Sequence, residues 1–156
     1  MSEVYLSREG YQKLQGELLE LKGTERPAAR HELQRAREFG DLSENAEYTA
    51  AKERIMFLEQ RIAKLEETLS RAHLLENEDI PSDKVYIGAT VELLDLKKKK
   101  GFTYTLVAPE EADFAQGKIS TVSPIGQGLL GHGEGEEVEI DVPAGKLEYR
   151  IVKITR

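Results

Sequence analysis

Phe39-Gly40-Asp41-Leu42-Ser43-Glu44-Asn45-Ala46-Glu47-Tyr48 is an acidic, turn-forming stretch between two long segments of helical periodicity. Before it, Tyr11, Leu14, Leu18 and Leu21 recur at spacings of three, four and three, the seam of a coiled coil. The seam then slips. A strict heptad would put Glu25 and Glu32 inside, whereas Ala29, Leu33 and Ala36 continue it one residue later. Gly23 and Pro27 lie at the slip and predict a kink or short break over residues 23–27, with the helix continuing to about Phe39. After the turn, Ile55, Leu58, Ile62, Leu65, Leu69 and Ala72 keep the three–four alternation without interruption. Ser7 reads as the N-cap of the first helix and Gly40 as its stop. Ser43 reads as the N-cap of the return helix and Glu47 as an acid beside the positive end of its dipole. So short a connection makes the two arms antiparallel neighbours. About thirty residues per arm at ~1.5 Å each give a rod of roughly 45 Å. One apolar seam per arm serves two helices and no larger bundle.

Past residue 77 the period changes. Asn77-Glu78-Asp79-Ile80-Pro81-Ser82-Asp83 is polar, contains Pro and has no helical repeat, which marks a linker over residues 77–84. Thr90–Asp95 and Phe102–Val107 alternate with period two around Lys97–Gly101, and Val138–Val142 and Leu147–Ile154 do so around Pro143-Ala144-Gly145. Each pair predicts a hairpin. Ser123-Pro124-Ile125, closed by Gly128-Leu129-Leu130-Gly131, reads as a short helix with a Ser cap, Pro in its first turn and Gly after its end. The chain is therefore of the α+β class. An antiparallel coiled-coil hairpin over residues 1–76, with an acidic tip at 39–48, precedes a small and mostly antiparallel sheet domain with one short helix over residues 85–156.

Composition narrows the function. Of 156 residues, 39% are hydrophobic and 33% charged, with six Tyr, four Phe and no Trp, as suits a chain that spends many residues on a solvated helical pair. The net charge is −7 and both halves share it, so bulk electrostatics do not hold nucleic acid and any such contact is local. No run approaches about 18 uncharged apolar residues, and Glu3, Arg8 and Glu9 interrupt any secretory h-region. A cytoplasmic location and no membrane contact are expected. The absence of Cys excludes disulfides and zinc–thiolate sites.

Three patterns carry chemistry. Asp41 and Glu44 stand three residues apart across the turn, with Glu47 three further on, so that carboxylates can converge on a hard divalent cation. Two monodentate carboxylates on an exposed tip hold Mg²⁺ poorly unless a second molecule completes the shell. The same residues also read as turn and cap residues that favour a helix N-terminus. Arg26, Arg30 and Arg37 share a narrow stripe of the first arm, with Lys52 on the return arm; the stripe could carry a phosphate chain, but charge runs on long helices are more usually a solvated face. Lys97–Lys100 reads as a solvated, mobile turn inside an acidic domain. His31, His73 and His132 are too scattered for a metal triad, and no nucleophile–base pair, P-loop or dinucleotide motif appears. The chain is not expected to be an enzyme by itself.

Gly40-Asp41-Leu42-Ser43-Glu44-Asn45-Ala46-Glu47-Tyr48 resembles the bacterial Gre transcript cleavage factors. The likeness runs the whole length, through Ile87-Gly88-Ala89-Thr90-Val91, Glu111-Ala112-Asp113-Phe114, and Ile119-Ser120 with Ser123-Pro124-Ile125-Gly126 to Leu129-Leu130-Gly131. The resemblance implies that the finger enters the secondary channel of a backtracked RNA polymerase. Asp41 and Glu44 would there help hold a Mg²⁺ of the polymerase's own active site, and the nascent RNA would be cut near its extruded 3′ end. It implies that Arg37 and Lys52 contact that RNA, Lys52 as a point charge in place of a bidentate fork. It further implies an FKBP-like C-terminal domain that docks on the polymerase's largest subunit at the channel rim, with Ser123, Pro124 and Ile125 as the contact. A monomer is expected. Two other readings stay open: an inhibitory Gre homologue that occupies the same channel, and an FKBP-like prolyl isomerase or chaperone. A purely structural coiled-coil adaptor would leave the tip unexplained.

Overall fold

The computed structural model describes residues 3–41 and 45–156. They fall into two compact units, residues 9–72 and residues 3–8 with 73–156.

The first unit is a helical hairpin. Helix α1 (Arg8–Glu20) begins directly after Ser7 and runs into a π-helical turn over Leu21–Glu25, then α2 (Arg26–Arg37). After the turn, α3 (Ala46–Ser70) returns as one uninterrupted helix. The expected break at residues 23–27 is thus a widened turn within a continuous helix: Glu20, Glu25 and Arg26 all keep right-handed helical dihedrals. A π-turn accommodates one extra residue. That is the one-residue slip of the apolar seam, absorbed so that the residues before and after it face the same partner. Pro27 lies in the first turn of α2, directly after the widened turn, where a helix tolerates Pro best. Leu14, Ala29, Ala36, Ala51, Ile62 and Leu65 are buried, and Tyr11, Leu18, Leu21, Leu33, Ile55, Leu58 and Leu69 are half-buried. Both seams therefore bury the residues that their spacing selects. Thr68, at 2% exposure, joins them.

The flanks of the seam are stitched by ion pairs. Arg26 forks onto Glu59 (2.8 and 2.9 Å), and Arg54 reaches both Glu32 (2.7 Å) and Glu25 (3.0 Å). Arg61 forks onto Glu17 (2.9 and 2.7 Å), which holds the Glu17 carboxyl below its ordinary range. Bidentate Arg–carboxylate geometry fixes register more than it adds stability at such half-exposed positions.

The second unit contains two sheets. Strand β1 (Val4–Leu6) pairs with β2 (Ala72–Leu74), a short ribbon without a sequence signature. Ser7 gives its backbone N–H and its hydroxyl to the Glu111 carboxylate (2.8 and 2.5 Å). The larger sheet has the order β5-β4-β3-β7-β6, built from β3 (Thr90–Asp95), β4 (Lys100–Val107), β5 (Lys118–Ser120), β6 (Glu137–Val142) and β7 (Gly145–Thr155). All its pairings are antiparallel except β4–β5. Both predicted hairpins form, pairing Leu93 with Phe102 and Ile140 with Leu147. Helix α4 (Pro124–Leu129) is capped by the Ser123 hydroxyl, which accepts from Gly126 N–H (3.1 Å). It packs closely. A Cβ on Gly126 would lie 2.1 Å from the Ser120 carbonyl oxygen, and one on Gly128 would lie 2.5 Å from Ile140 Cγ1. The core comprises Val85, Val91, Leu93, Leu106, Leu129, Ile140, Tyr149 and Ile151 among others.

Candidate functional site

The turn that ends the first arm is built by few residues. Helix α2 stops at Arg37, after which Glu38 and Phe39 donate their N–H groups to the carbonyls of Arg35 (3.1 Å) and Ala36 (3.2 Å). Gly40 takes φ +104°, a conformation that strains any residue with a Cβ. Asp41 follows and is exposed. Leu42, Ser43 and Glu44 lie outside the described residues, so the expected convergence of Asp41 and Glu44 is not part of the geometry described.

The return helix is capped by Asn45, in place of the Ser43 read from the sequence. Asn45 has extended backbone dihedrals (φ −92°, ψ 97°), and its side-chain oxygen accepts from Tyr48 N–H at 3.1 Å. Its amide nitrogen donates to the Ala36 carbonyl at 2.6 Å. One side chain thereby closes the N-terminus of α3 and ties it to the last turn of α2, a double role that a Ser hydroxyl reaches less well. Glu47 occupies the first turn of α3, as its spacing indicated.

The cations divide into two groups. Arg26 and Arg30 both face Glu59, the second at 3.9 Å, so the stripe read from the helical period is largely a cross-arm ion-pair set. Arg37 lies outside that set, exposed at the end of α2. Lys52 is also exposed, with its ammonium 5.5 Å from the centre of the Tyr48 ring one turn earlier. A groove of about 400 Å³ runs between the arms beside the turn, lined by Arg35, Phe39, Glu47, Ala50 and Arg54 among others. Phe39 is 66% exposed there. Among the described residues, no group of three or more His, Asp or Glu is arranged to hold a metal ion. Asp41 is a hard oxygen donor on an accessible turn, which fits Mg²⁺ as one ligand of a shell completed from elsewhere.

Ser123, Pro124 and Ile125 come together at the start of α4. With Phe114, Ile119 and Val142 they line a cavity of about 330 Å³ whose walls are almost wholly apolar. The Ser123 hydroxyl is committed locally, donating to the Ser120 carbonyl (2.6 Å) while it caps the helix. Phe114 and Val122 are 71% and 64% exposed, and neither was singled out for docking from the sequence. Their signal was weak, because an exposed aromatic after Ala112-Asp113 has no periodicity to betray it.

Residues 4–74 match the family model described as transcription elongation factor, N-terminal. Residues 80–156 match the model for transcription elongation factor, GreA/GreB, C-term. The transcription elongation factor GreA of Chloroherpeton thalassium is 49% identical over 152 residues, covering 97% of this chain and 96% of that protein. Its namesake in Nitratidesulfovibrio vulgaris (Miyazaki F) is 45% identical over 154 residues, covering 99% and 96%. Among solved structures, GreA factor homolog 1 (Gfh1) of Thermus thermophilus is 34% identical with a TM-score of 0.46, covering 99% of this chain and 100% of that one. The GreA/GreB factor of Nitrosomonas europaea is 26% identical with a TM-score of 0.43, also covering 99% and 100%.

Proposed function

The chain belongs to the GreA/GreB family of transcription elongation factors, and on that premise we propose that it stimulates transcript cleavage by a backtracked RNA polymerase. The helical hairpin enters the polymerase's secondary channel and brings its acidic turn to the active site, rescuing arrested complexes. The observation that carries this reading is the exposed Asp41 directly after Gly40, between two helix ends that the Asn45 side chain ties together. A carboxylate kept at the end of two stitched helices is fit for delivery into a narrow site. The chain is a factor and the chemistry belongs to the polymerase.

Asp41 and Glu44 would hold a Mg²⁺ jointly with the polymerase. Held there, such an ion would supply charge neutralisation at the scissile phosphate and a more acidic attacking water. The work of this chain is to position. Asn45 ties the start of α3 to the end of α2, the two helix ends that flank the acidic turn, and Arg37 and Lys52 offer cations to the extruded RNA 3′ end. Tyr48 restrains Lys52 by lying beneath its ammonium. The apolar cavity beside Ser123, Pro124 and Ile125 gives the second unit a face for the largest subunit of the polymerase, with Phe114 as a further anchor. The factor acts as a monomer in the cytoplasm. Among the described residues no helix is long and apolar enough to cross a membrane.

The test is a stalled, backtracked polymerase carrying labelled RNA, incubated with the protein and Mg²⁺. Short 3′ fragments are expected, followed by renewed elongation. Suppressed elongation without fragments would assign the chain to an inhibitory channel-occupying branch. Accelerated proline isomerisation in a peptide, without either effect, would assign it to the isomerase class.

A further inference from the structure

We propose that the β3–β4 turn is a docking point for the phosphate backbone of double-stranded DNA. Lys97, Lys98, Lys99 and Lys100 are consecutive and all exposed, in a unit whose remaining charge is acidic. The turn is exposed, as its composition indicates, and its backbone is hydrogen-bonded. Asp95, 7% exposed, accepts through one carboxylate oxygen from the N–H groups of Lys97 (2.9 Å) and Lys98 (3.0 Å). Its backbone carbonyl accepts from Lys99 N–H (2.7 Å). The Lys97 ammonium donates to the Lys146 carbonyl (2.8 Å) at the start of β7, which ties the two hairpin ends together.

Lys99 adds an independent observation. Its φ of 56° makes it the one non-glycine residue with positive φ among the described residues. Gly, Asn or Asp takes that conformation at lower cost, so the turn keeps a lysine where its own geometry disfavours one. Lys98, Lys99 and Lys100 form no ion pair among the described residues, although Lys146 nearby is paired with Glu139 at 2.9 Å. Three cations without an ion-pair partner among the described residues thus follow one another at a hydrogen-bonded hairpin end.

The residue types identify the partner. Protein interfaces are depleted in Lys and take their energy from Trp, Tyr and Arg anchors, none of which stands in this turn. Single strands need exposed aromatic platforms, and the rings beside the turn, Phe102, Tyr104 and Tyr149, are half-buried or buried, Phe102 packing on Tyr104 and on Tyr149 at 5.0 Å each. Compact ammonium charges without forks or rings suit the dense, sequence-independent phosphates of a duplex. Three phosphate contacts weaken by about 40-fold between ~50 and ~200 mM salt, from a slope of about −0.9 per contact.

The experiment is an amide NMR titration of the full chain with a short DNA duplex at low salt, beside the variant K98Q/K99G/K100Q. Changes are expected at the amides of Lys97 to Gly101, with the salt dependence above and their loss in the variant. An unchanged melting temperature of the variant, expected because Asp95 and its acceptor roles remain, shows that the loss is one of charge. No change at these amides at millimolar duplex overturns the proposal. So does a poly-glutamate peptide that shifts them at lower concentration than DNA, which would assign the turn to an acidic polypeptide. The outcome is independent of transcript cleavage.

Discussion

Replacing Asn45 by Ala removes two hydrogen bonds at once, and their contributions can be separated. Loss of the cap on Tyr48 N–H costs about 1 kcal/mol, with a range of roughly 0.5–2. The bond to the Ala36 carbonyl contributes less, because that carbonyl keeps the Phe39 N–H at 3.2 Å and is not left bare. The sum is about 1–2 kcal/mol, localised where α2 hands over to α3. Asn45→Asp keeps an acceptor for Tyr48 N–H and adds a charge that the helix dipole favours, but it faces the Ala36 carbonyl without a donor. It should therefore cost less than about 1 kcal/mol. The assay is native-state hydrogen exchange at Tyr48, whose N–H donates to the Asn45 side-chain oxygen, with Thr49, whose N–H donates to the Asn45 backbone carbonyl, reporting on the same first turn. Local opening should rise by about 5- to 30-fold in Asn45→Ala, with a smaller change in Asn45→Asp and an unchanged core in the second unit. If Asn45→Ala exchanges like the parent, or if Ser43→Ala gives the larger effect, the assignment of the cap is wrong.

Gly126→Ala should destabilise the second unit by about 1–3 kcal/mol or more, since the added Cβ meets the backbone oxygen of Ser120; chemical denaturation with a probe in the sheet checks it. Gly128→Ala should cost less, because its obstacle is the side chain of Ile140. The Glu17 carboxyl is held below its ordinary value of 4.5 by Arg61, so its contribution to the hairpin is complete above that pH. It is lost as pH falls from there through the folded-state value. Arg61→Ala should flatten that part of the acid unfolding curve followed by helical circular dichroism. Phe114→Ala should weaken polymerase binding by about 10-fold or more if the cavity beside α4 is the docking face, while leaving the hairpin's exchange pattern unchanged.

The sequence made the apolar seams legible because a three–four spacing admits only one buried face. The slip before Ala29 was equally visible, yet its resolution as a π-turn depended on the two arms staying in contact, which no local pattern encodes. Ser43 and Asn45 are both good caps. What separates them is that Asn carries a donor able to reach Ala36, a residue nine positions away and close only after folding. The partner of the arginine stripe was hidden for a related reason. Helical period puts Arg26 and Arg30 on one face, but their partner Glu59 is chosen by the register of the opposite arm. Strands β1, β2 and β5 are three residues each, too short to alternate, and β5 gains its identity from pairing in parallel with β4. The helix at Ser123-Pro124 was readable because cap, Pro and terminal Gly are local signals.

The central claim is that the acidic turn supplies ligands for a Mg²⁺ shared with the polymerase. The direct measurement is the cleavage rate of a backtracked complex as Mg²⁺ is titrated, with the factor saturating, for the parent, Asp41→Asn and Glu44→Gln. Each substitution should lower the rate at limiting Mg²⁺ by at least about tenfold. Higher Mg²⁺ should recover part of it, with binding to the polymerase retained. Equal rates for parent and variants across the titration would contradict it.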